Sequence, residues 1–430
     1  MAQSYLDEEM EADATFSLFV RDLPTERGYL VAAGLDDALA YLERLAFTSD
    51  DVAFLESTRL FTKRLLDRLA AFQFTGSVRA MPEGTICFAG EPLLEVTAPI
   101  LEAQLVETVL INEMQLQTMI ASKAARCVTA ARGRRLVDFS LRRTHGLEAG
   151  LKVARASYLA GFDATSNVLA GQRYGLPVAG TMAHSYVQAF SHEIEAFRAY
   201  ARAYPDSAVL LVDTYDSVEG ARLAAKVGMD LATTGHRLAA IRLDSGDPIA
   251  LSRVARHVLN DAGLASTTIF ASGALDEHAI EDILAAGAPI DGFGVGTRLG
   301  VSADEPHLDM VYKLVEYGGR PTRKLSTGKV TWPGGKQVWR VAQHGCDWLG
   351  LAGEEMPDGR EPLLVPVMAR GQRFSPPEPL DRARDRCRQG LAALPPGCLR
   401  LRDPDRYPVQ PTDGLFALER AAAATLQQVG

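Results

Sequence analysis

The sequence predicts an α/β protein: an irregular (β/α) barrel with a flanking α+β sandwich domain built from both chain ends. Two observations predict this. Between residues 133 and 330, short apolar runs ending in small, polar or charged residues alternate with helical segments. Their starts lie about thirty residues apart, sometimes less, which is the length of one βα unit. On either side of that stretch, helices instead alternate with short β-rich runs broken by Pro/Gly turns, as in an antiparallel sheet. The expected division is therefore 1–132, 133–330 and 331–430, with the last segment packing back on the first.

The elements follow in order. Residues 36–72 read as helices, with apolar positions at helical spacing in DDALAYLERLAF and DVAFLESTRLFTKRLLDRLAAF. Residues 73–98 alternate short β-rich runs with turns at Pro82-Glu83-Gly84 and Gly90-Glu91-Pro92. A long helix is expected from Glu102 to Ala131, ending near Gly133. The barrel runs are then RLVDFS (135–140), LPVAGT (176–181), VLLVDT (209–214), LAAIRLDSG (238–246), TIFASG (268–273) and IDGFGVGT (290–297). Six units in series favour a closed barrel over an open sheet. Beyond Val301 come turn-rich strands, a charged helix (DRARDRCRQGLAAL), a Pro-rich tail to Pro411 and a final short helix.

Composition narrows the function. With 45 basic and 54 acidic residues the formal charge is −9, which argues against wrapping a nucleic acid but leaves room for a locally basic pocket. Cys87, Cys127, Cys346, Cys387 and Cys398 are widely spaced, without a Cys-x-x-Cys pair, and read as free thiols in a reducing compartment. The start MAQSYLDEEMEADATFSL is acidic and lacks an apolar core, so no signal peptide is read, and the expected location is the cytoplasm.

In a (β/α) barrel the chemistry sits at the C-terminal ends of the strands, and the polar residues of this sequence cluster there. Arg142 and Arg143 follow Asp138-Phe139-Ser140-Leu141 and suit a carboxylate or a pyrophosphate, although an isolated Arg-Arg is more often a solvated surface pair. Thr181, His184 and Ser185 follow the second run. A histidine there can act as nucleophile or acid/base, but alone it is more often structural. Arg242 and Asp244 share one face of a strand, with Ser245 and Asp247 next to them. Their carboxylates suit Mg²⁺ beside a pyrophosphate, or ribose hydroxyls, while Asp247 before Pro248 fits a helix cap. The loops Ala271-Ser272-Gly273-Ala274 and Gly292-Phe293-Gly294-Val295-Gly296-Thr297 suit a phosphate, because glycine lets backbone N–H groups approach it. Together these imply a phosphorylated sugar substrate and leave the transfer itself open.

The wording and order of the motifs resemble the nicotinate phosphoribosyltransferase family of type II phosphoribosyltransferases. The resemblance spans nearly the whole chain and includes DATFSLFVRDLP, FTGSVRAMPEG, DFSLRRTHG, ATSNVLAG, GTMAHSYVQAF, VDTYD, IRLDSGD, ASGALDE and DGFGVGTRL. It implies that nicotinate and phosphoribosyl pyrophosphate give nicotinate mononucleotide and pyrophosphate, with Mg²⁺ and with ATP as co-substrate. It further implies that His184 is transiently phosphorylated and that Arg142 lies near the nicotinate carboxylate. Asp244, the carboxylate expected to hold Mg²⁺, and Ser245 match the ribose and pyrophosphate region. Gly273, Gly296 and Thr297 match the 5′-phosphate loops. The resemblance also implies a homodimer with shared active sites.

Two departures accompany the resemblance. Asp138-Phe139-Ser140 stands where the family has Asp-Phe-Gly, which reads as a subgroup difference. Met1 falls on the last methionine of the family's Thr-Asp-x-Tyr-x-x-Thr-Met stretch, whose tyrosine stacks on nicotinate from the neighbouring subunit; either translation starts upstream or the base binds without that ring. Tyr5 is offset by several residues and does not take the role. Among rivals, a nicotinamide-specific relative needs an acceptor for the amide N–H₂, and Gly180-Thr181-Met182 supplies none. A quinolinate enzyme is a shorter chain, an aldolase barrel lacks its strand-end lysine, and an inactive pyridine-binding paralogue conflicts with Arg142, His184, Asp244 and Thr297.

Overall fold

The computed structural model describes residues 1–324, 331–341, 345–355 and 360–429. The chain divides into two compact units, Met1–Ser122 with His307–Gly430, and Lys123–Pro306. The expected boundary at 330 lies outside the described residues, as do residues 325–330 of the turn-rich stretch.

The first unit is built from both chain ends, as its texture predicts. Its seven-stranded sheet runs in the order Arg320–Pro321, Met310–Tyr317, Asp13–Val20, Pro92–Pro99, Ser77–Ala80, Val365–Ala369, Gln372–Arg373. Every neighbouring pair is antiparallel. A four-stranded sheet of Arg360–Pro362, Lys336–Val341, Asp347–Leu351 and Val409–Pro411 meets it where the Lys336 N–H donates to buried Glu95 at 2.9 Å. Ser17 donates to the same carboxylate at 2.6 Å, so both oxygens of this buried charge are hydrogen-bonded.

The helical stretch 36–72 resolves into Leu35–Arg44, Ser49–Ser57 and Lys63–Ala70. Thr48 and Asp51 form a reciprocal capping box, and Thr62 caps the third helix, so threonines punctuate what periodicity alone runs together. The helix expected over 102–131 is two helices, Ile100–Leu105 and Glu107–Ala131, parted at Val106. The final helix, Asp413–Val429, is seventeen residues, longer than expected. Among the described residues no helix is long and apolar enough to cross a membrane.

The second unit holds six parallel strands: β1 (Arg135–Asp138), β2 (Ala164–Thr165), β3 (Val209–Leu211), β4 (Ala240–Leu243), β5 (Thr268–Ala271) and β6 (Gly292–Val295). Their order is β2-β1-β6-β5-β4-β3. The sheet is curled with β2 and β3 at its edges, so the irregular barrel takes the form of a half-barrel. The run 176–181 is not a strand. It contributes one bridge, Val178 to Thr165, because Pro177 has no N–H to give and Gly180 follows at once.

Helices Val168–Tyr174, Ser217–Ala232, Pro248–Asp261 and Glu277–Ala285 each start from an Asx cap, at Asn167, Asp216, Asp247 and Asp276. Asp247 thus does what the residue before a proline suggests: its carboxylate accepts the Ile249 N–H at 2.9 Å. Lys123 and Arg126, both buried, anchor the fourth of these helices through Glu277 at 2.5 and 2.8 Å. Its cap, Asp276, in turn pairs with Arg298 beside the last strand loop.

Candidate active site

A cavity of about 340 Å³ opens at the C-terminal ends of the strands. Ten of the thirteen residues singled out from the sequence line it: Arg142, Thr181, His184, Arg242, Asp244, Ser272, Gly273, Gly294, Gly296 and Thr297. Arg143, Ser185 and Ser245 do not. Arg143 and Ser185 are exposed, the first on a single 3-10 turn and the second in the helix His184–Gln188, while the Ser245 hydroxyl donates to Asp213 Oδ2 at 2.6 Å.

Asp244 sits where four elements meet. Its Oδ1 accepts the Ser272 hydroxyl and lies 3.5 Å from the Arg242 guanidinium, and its Oδ2 is 3.7 Å from His184 Nε2. The Asp244 N–H is held by Asp213 Oδ2 at 2.9 Å, which fixes the strand end. Arg242 is mostly buried. It donates to the Thr181 hydroxyl and packs over the Phe139 ring at 5.9 Å. Burial pulls its guanidinium below the ordinary range, and Asp244 and Asp213 oppose that by favouring the cation. His184 opens the helix His184–Gln188, and its Nδ1 lies 3.1 Å from the Thr214 hydroxyl.

Backbone close approach shapes the cradle opposite. Gly273 has φ +94°, and a Cβ there would lie 2.0 Å from the Asp244 carbonyl oxygen. At Gly294 a Cβ would come within 2.5 Å of the Phe139 ring. The helix after the first loop is capped by Asp276, whose carboxylate accepts the Ala279 N–H at 2.9 Å and so occupies one of its end N–H groups. The second loop runs into a single turn, Thr297–Gly300. Any phosphate here would therefore be held mainly by loop N–H groups.

Sequence reasoning missed Asp213, Thr214, Phe139 and Ser166. Asp213 was findable, since it stands past β3 as Asp244 stands past β4. Ser166 follows a two-residue strand with no apolar run to announce it. Behind the site, burial and the carboxylates of Glu219, Asp213 and Asp216 push the Glu193 carboxyl up to about 7. Below the cavity floor, buried Asp138 accepts the Ser140 N–H at 2.9 Å and the Thr165 hydroxyl at 2.8 Å, and burial raises its carboxyl.

Ser140 is fully buried against Gly300, where a Cβ would fall 2.6 Å from the Ser140 Cβ. Gly300→Ala is therefore expected to destabilise by about 1–3 kcal/mol through overpacking. Urea titration should show it, and adding Ser140→Gly should restore most of the loss.

Comparison with known proteins agrees along the whole chain. Residues 1–115 match the nicotinate phosphoribosyltransferase N-terminal domain, 134–326 the nicotinate phosphoribosyltransferase family, and 356–419 the C-terminal domain. A nicotinate phosphoribosyltransferase of Mycobacterium tuberculosis is 50% identical over 420 residues, covering 96% of this chain and 89% of that one. A Bacillus subtilis nicotinate phosphoribosyltransferase is 42% identical over 375 residues, covering 83% and 75%. The crystal structure of the human nicotinic acid enzyme superposes with a TM-score of 0.87 at 31% identity, covering 98% of both chains.

Proposed function

The chain belongs to the nicotinate phosphoribosyltransferase family, and we propose that it makes nicotinate mononucleotide and pyrophosphate from nicotinate and phosphoribosyl pyrophosphate, in the salvage of pyridine rings for NAD. We propose further that ATP hydrolysis drives the reaction through a phosphorylated His184. The observation that carries the reading is one cavity ringed by Arg142, His184, Arg242, Asp244 and two glycine loops.

The roles follow from the chemistry. Arg142, exposed on its turn, pairs with the nicotinate carboxylate. Asp244 and Ser272 face the ribose hydroxyls, and the loops at Gly273 and Gly296 take the 5′-phosphate. The pyridine nitrogen forms a bond to the anomeric carbon as the bond from that carbon to the pyrophosphate oxygen breaks, and the electron pair leaves with pyrophosphate. Arg242 and the Asp244 carboxylate set the field around that change of charge.

Among the described residues no three His, Cys, Asp or Glu side chains converge on a metal. Mg²⁺ commonly takes one or two carboxylates and substrate phosphates. Asp244, partly exposed to the cavity, fits as that single carboxylate. When bound, Mg²⁺ supplies charge neutralisation on the leaving pyrophosphate.

We propose a homodimer with shared sites. Leu147 (77% exposed), Val168 (72%) and Leu169 (57%) are large apolar side chains on helices that begin just after the cavity residues Arg142 and Ser166. The described cysteines are all unpaired, and the proposed co-substrates are intracellular metabolites, which supports the cytoplasm as the location.

The test mixes the protein with phosphoribosyl pyrophosphate, Mg²⁺ and either nicotinate or nicotinamide, with and without ATP, and measures mononucleotide. Product from nicotinate, stimulated by ATP, is expected; its absence overturns the activity. His184→Ala should lose ATP stimulation and keep slow ATP-independent transfer. Equal stimulation in that variant refutes the role of His184.

A further inference from the structure

We infer that Thr214 is a positioning residue that selects the nitrogen on which His184 is phosphorylated; this rests on the phosphohistidine reading above. A neutral imidazole carries one proton, so only one of its nitrogens has a lone pair free to attack. His184 Nδ1 faces the Thr214 hydroxyl at 3.1 Å, a hydrogen-bonding distance. Nε2 lies 3.7 Å from the Asp244 carboxylate, too far for a hydrogen bond. Among the described residues Nε2 thus has no hydrogen bond, and we assign Thr214 as the acceptor of the Nδ1 proton, which leaves the Nε2 lone pair open.

The hydroxyl is fixed before any substrate arrives. The Val212 N–H donates to the Arg242 carbonyl at 3.1 Å, which ties the segment leading to Thr214 onto β4. Asp213, the residue between, accepts from the Asp244 N–H and the Ser245 hydroxyl. Thr214 thus follows directly on two residues tied to β4 and its end, and its side chain meets the ring of His184. Contact with the hydroxyl also denies Nδ1 to a phosphoryl donor.

The step that follows is balanced. The Nε2 lone pair attacks the γ-phosphorus of ATP, the Nε2–P bond forms, and the bond to the β,γ-bridging oxygen breaks. ADP leaves with the electron pair. The ring keeps its Nδ1 proton, hydrogen-bonded to Thr214, and becomes cationic with the Asp244 carboxylate facing it.

The test compares Thr214→Val, which keeps shape and removes the hydroxyl, with Thr214→Ser, which keeps the hydroxyl. The probe is γ-labelled ATP with Mg²⁺. The readouts are the rate of labelling, the phosphohistidine isomer formed, and ATP-independent transfer to nicotinate. The wild type should label at Nε2. Thr214→Val should label about tenfold more slowly, as expected for one lost orienting hydrogen bond, and give a mixture of Nδ1 and Nε2 isomers. Thr214→Ser should restore both, and the ratio of labelling rate to ATP-independent transfer should fall in Thr214→Val alone. Wild-type rate and isomer in Thr214→Val overturn the inference, and so does an equal loss in the valine and serine variants. If the wild type takes no label and His184→Ala keeps its ATP stimulation, the phosphohistidine reading itself fails.

Discussion

Asp244→Ala is expected to lower kcat/KM for phosphoribosyl pyrophosphate by about a hundredfold to a thousandfold, the usual cost of deleting one preorganised electrostatic group from a site. The carboxylate has three neighbours whose placement depends on it. It accepts the Ser272 hydroxyl, it stands 3.5 Å from Arg242, and it faces His184 at 3.7 Å. Its loss leaves the mostly buried Arg242 guanidinium with Asp213 as its main remaining counter-charge. Asp244→Asn keeps the shape and an acceptor for Ser272 while removing the charge, so its activity should fall between wild type and alanine. The pattern differs from that of His184→Ala, because the ATP-independent reaction must fall as well. Steady-state kinetics without ATP decide it: a change within threefold would remove Asp244 from the chemistry.

Most of this cluster was legible because of where it lies in each βα unit. His184, Arg242, Asp244, Gly273 and Gly296 all stand at or just past the end of a short apolar run, where a parallel sheet delivers side chains to one mouth. The β-rich runs and turns read over 73–98 likewise correspond to antiparallel strands, Ser77–Ala80 paired with Pro92–Pro99. The same rule failed where strands are too short or too irregular to carry a pattern. Ala164–Thr165 has two residues, and LPVAGT looks apolar enough for a strand but includes a proline.

Other features depend on contacts distant in sequence. Asp13–Val20 is an interior strand of the seven-stranded sheet, paired on both edges, yet it was not picked out from its residues. Both of its faces are interior, so Thr15 and Ser17 are buried with Phe16 and Leu18, and the inside–outside alternation is lost. Their hydroxyls find Thr97 and Glu95, partners about eighty residues away that no local window contains. Phe139 was not singled out from the sequence beyond its place in Asp138-Phe139-Ser140. Its part in the site comes from Gly294 across the sheet, which leaves room for the ring, and from Arg242 above it.

Gly273→Ala is the second large effect. The residue combines a left-handed backbone, φ +94°, with a carbonyl oxygen of Asp244 at 2.0 Å from any added Cβ. Left-handed strain alone costs an L-residue about 1–2 kcal/mol. The contact is worse, since it is with backbone and cannot be relieved by turning a side chain. Either the loop 271–274 lifts away from β4 or the end of β4 yields, and both carry a cavity-lining group with them: Ser272 in one case, Asp244 in the other. A displacement of about 1 Å in such groups can cost about a hundredfold in rate, and that loss in kcat/KM for phosphoribosyl pyrophosphate is expected here. Gly263 separates strain from contact. It too is left-handed, φ +74°, but has nothing within 4 Å of a Cβ, and it lies outside the cavity lining. Gly263→Ala should therefore lower the melting temperature slightly and leave kcat/KM unchanged. If the two alanine variants lose activity equally, the close approach of Gly273 to Asp244 does not govern the site.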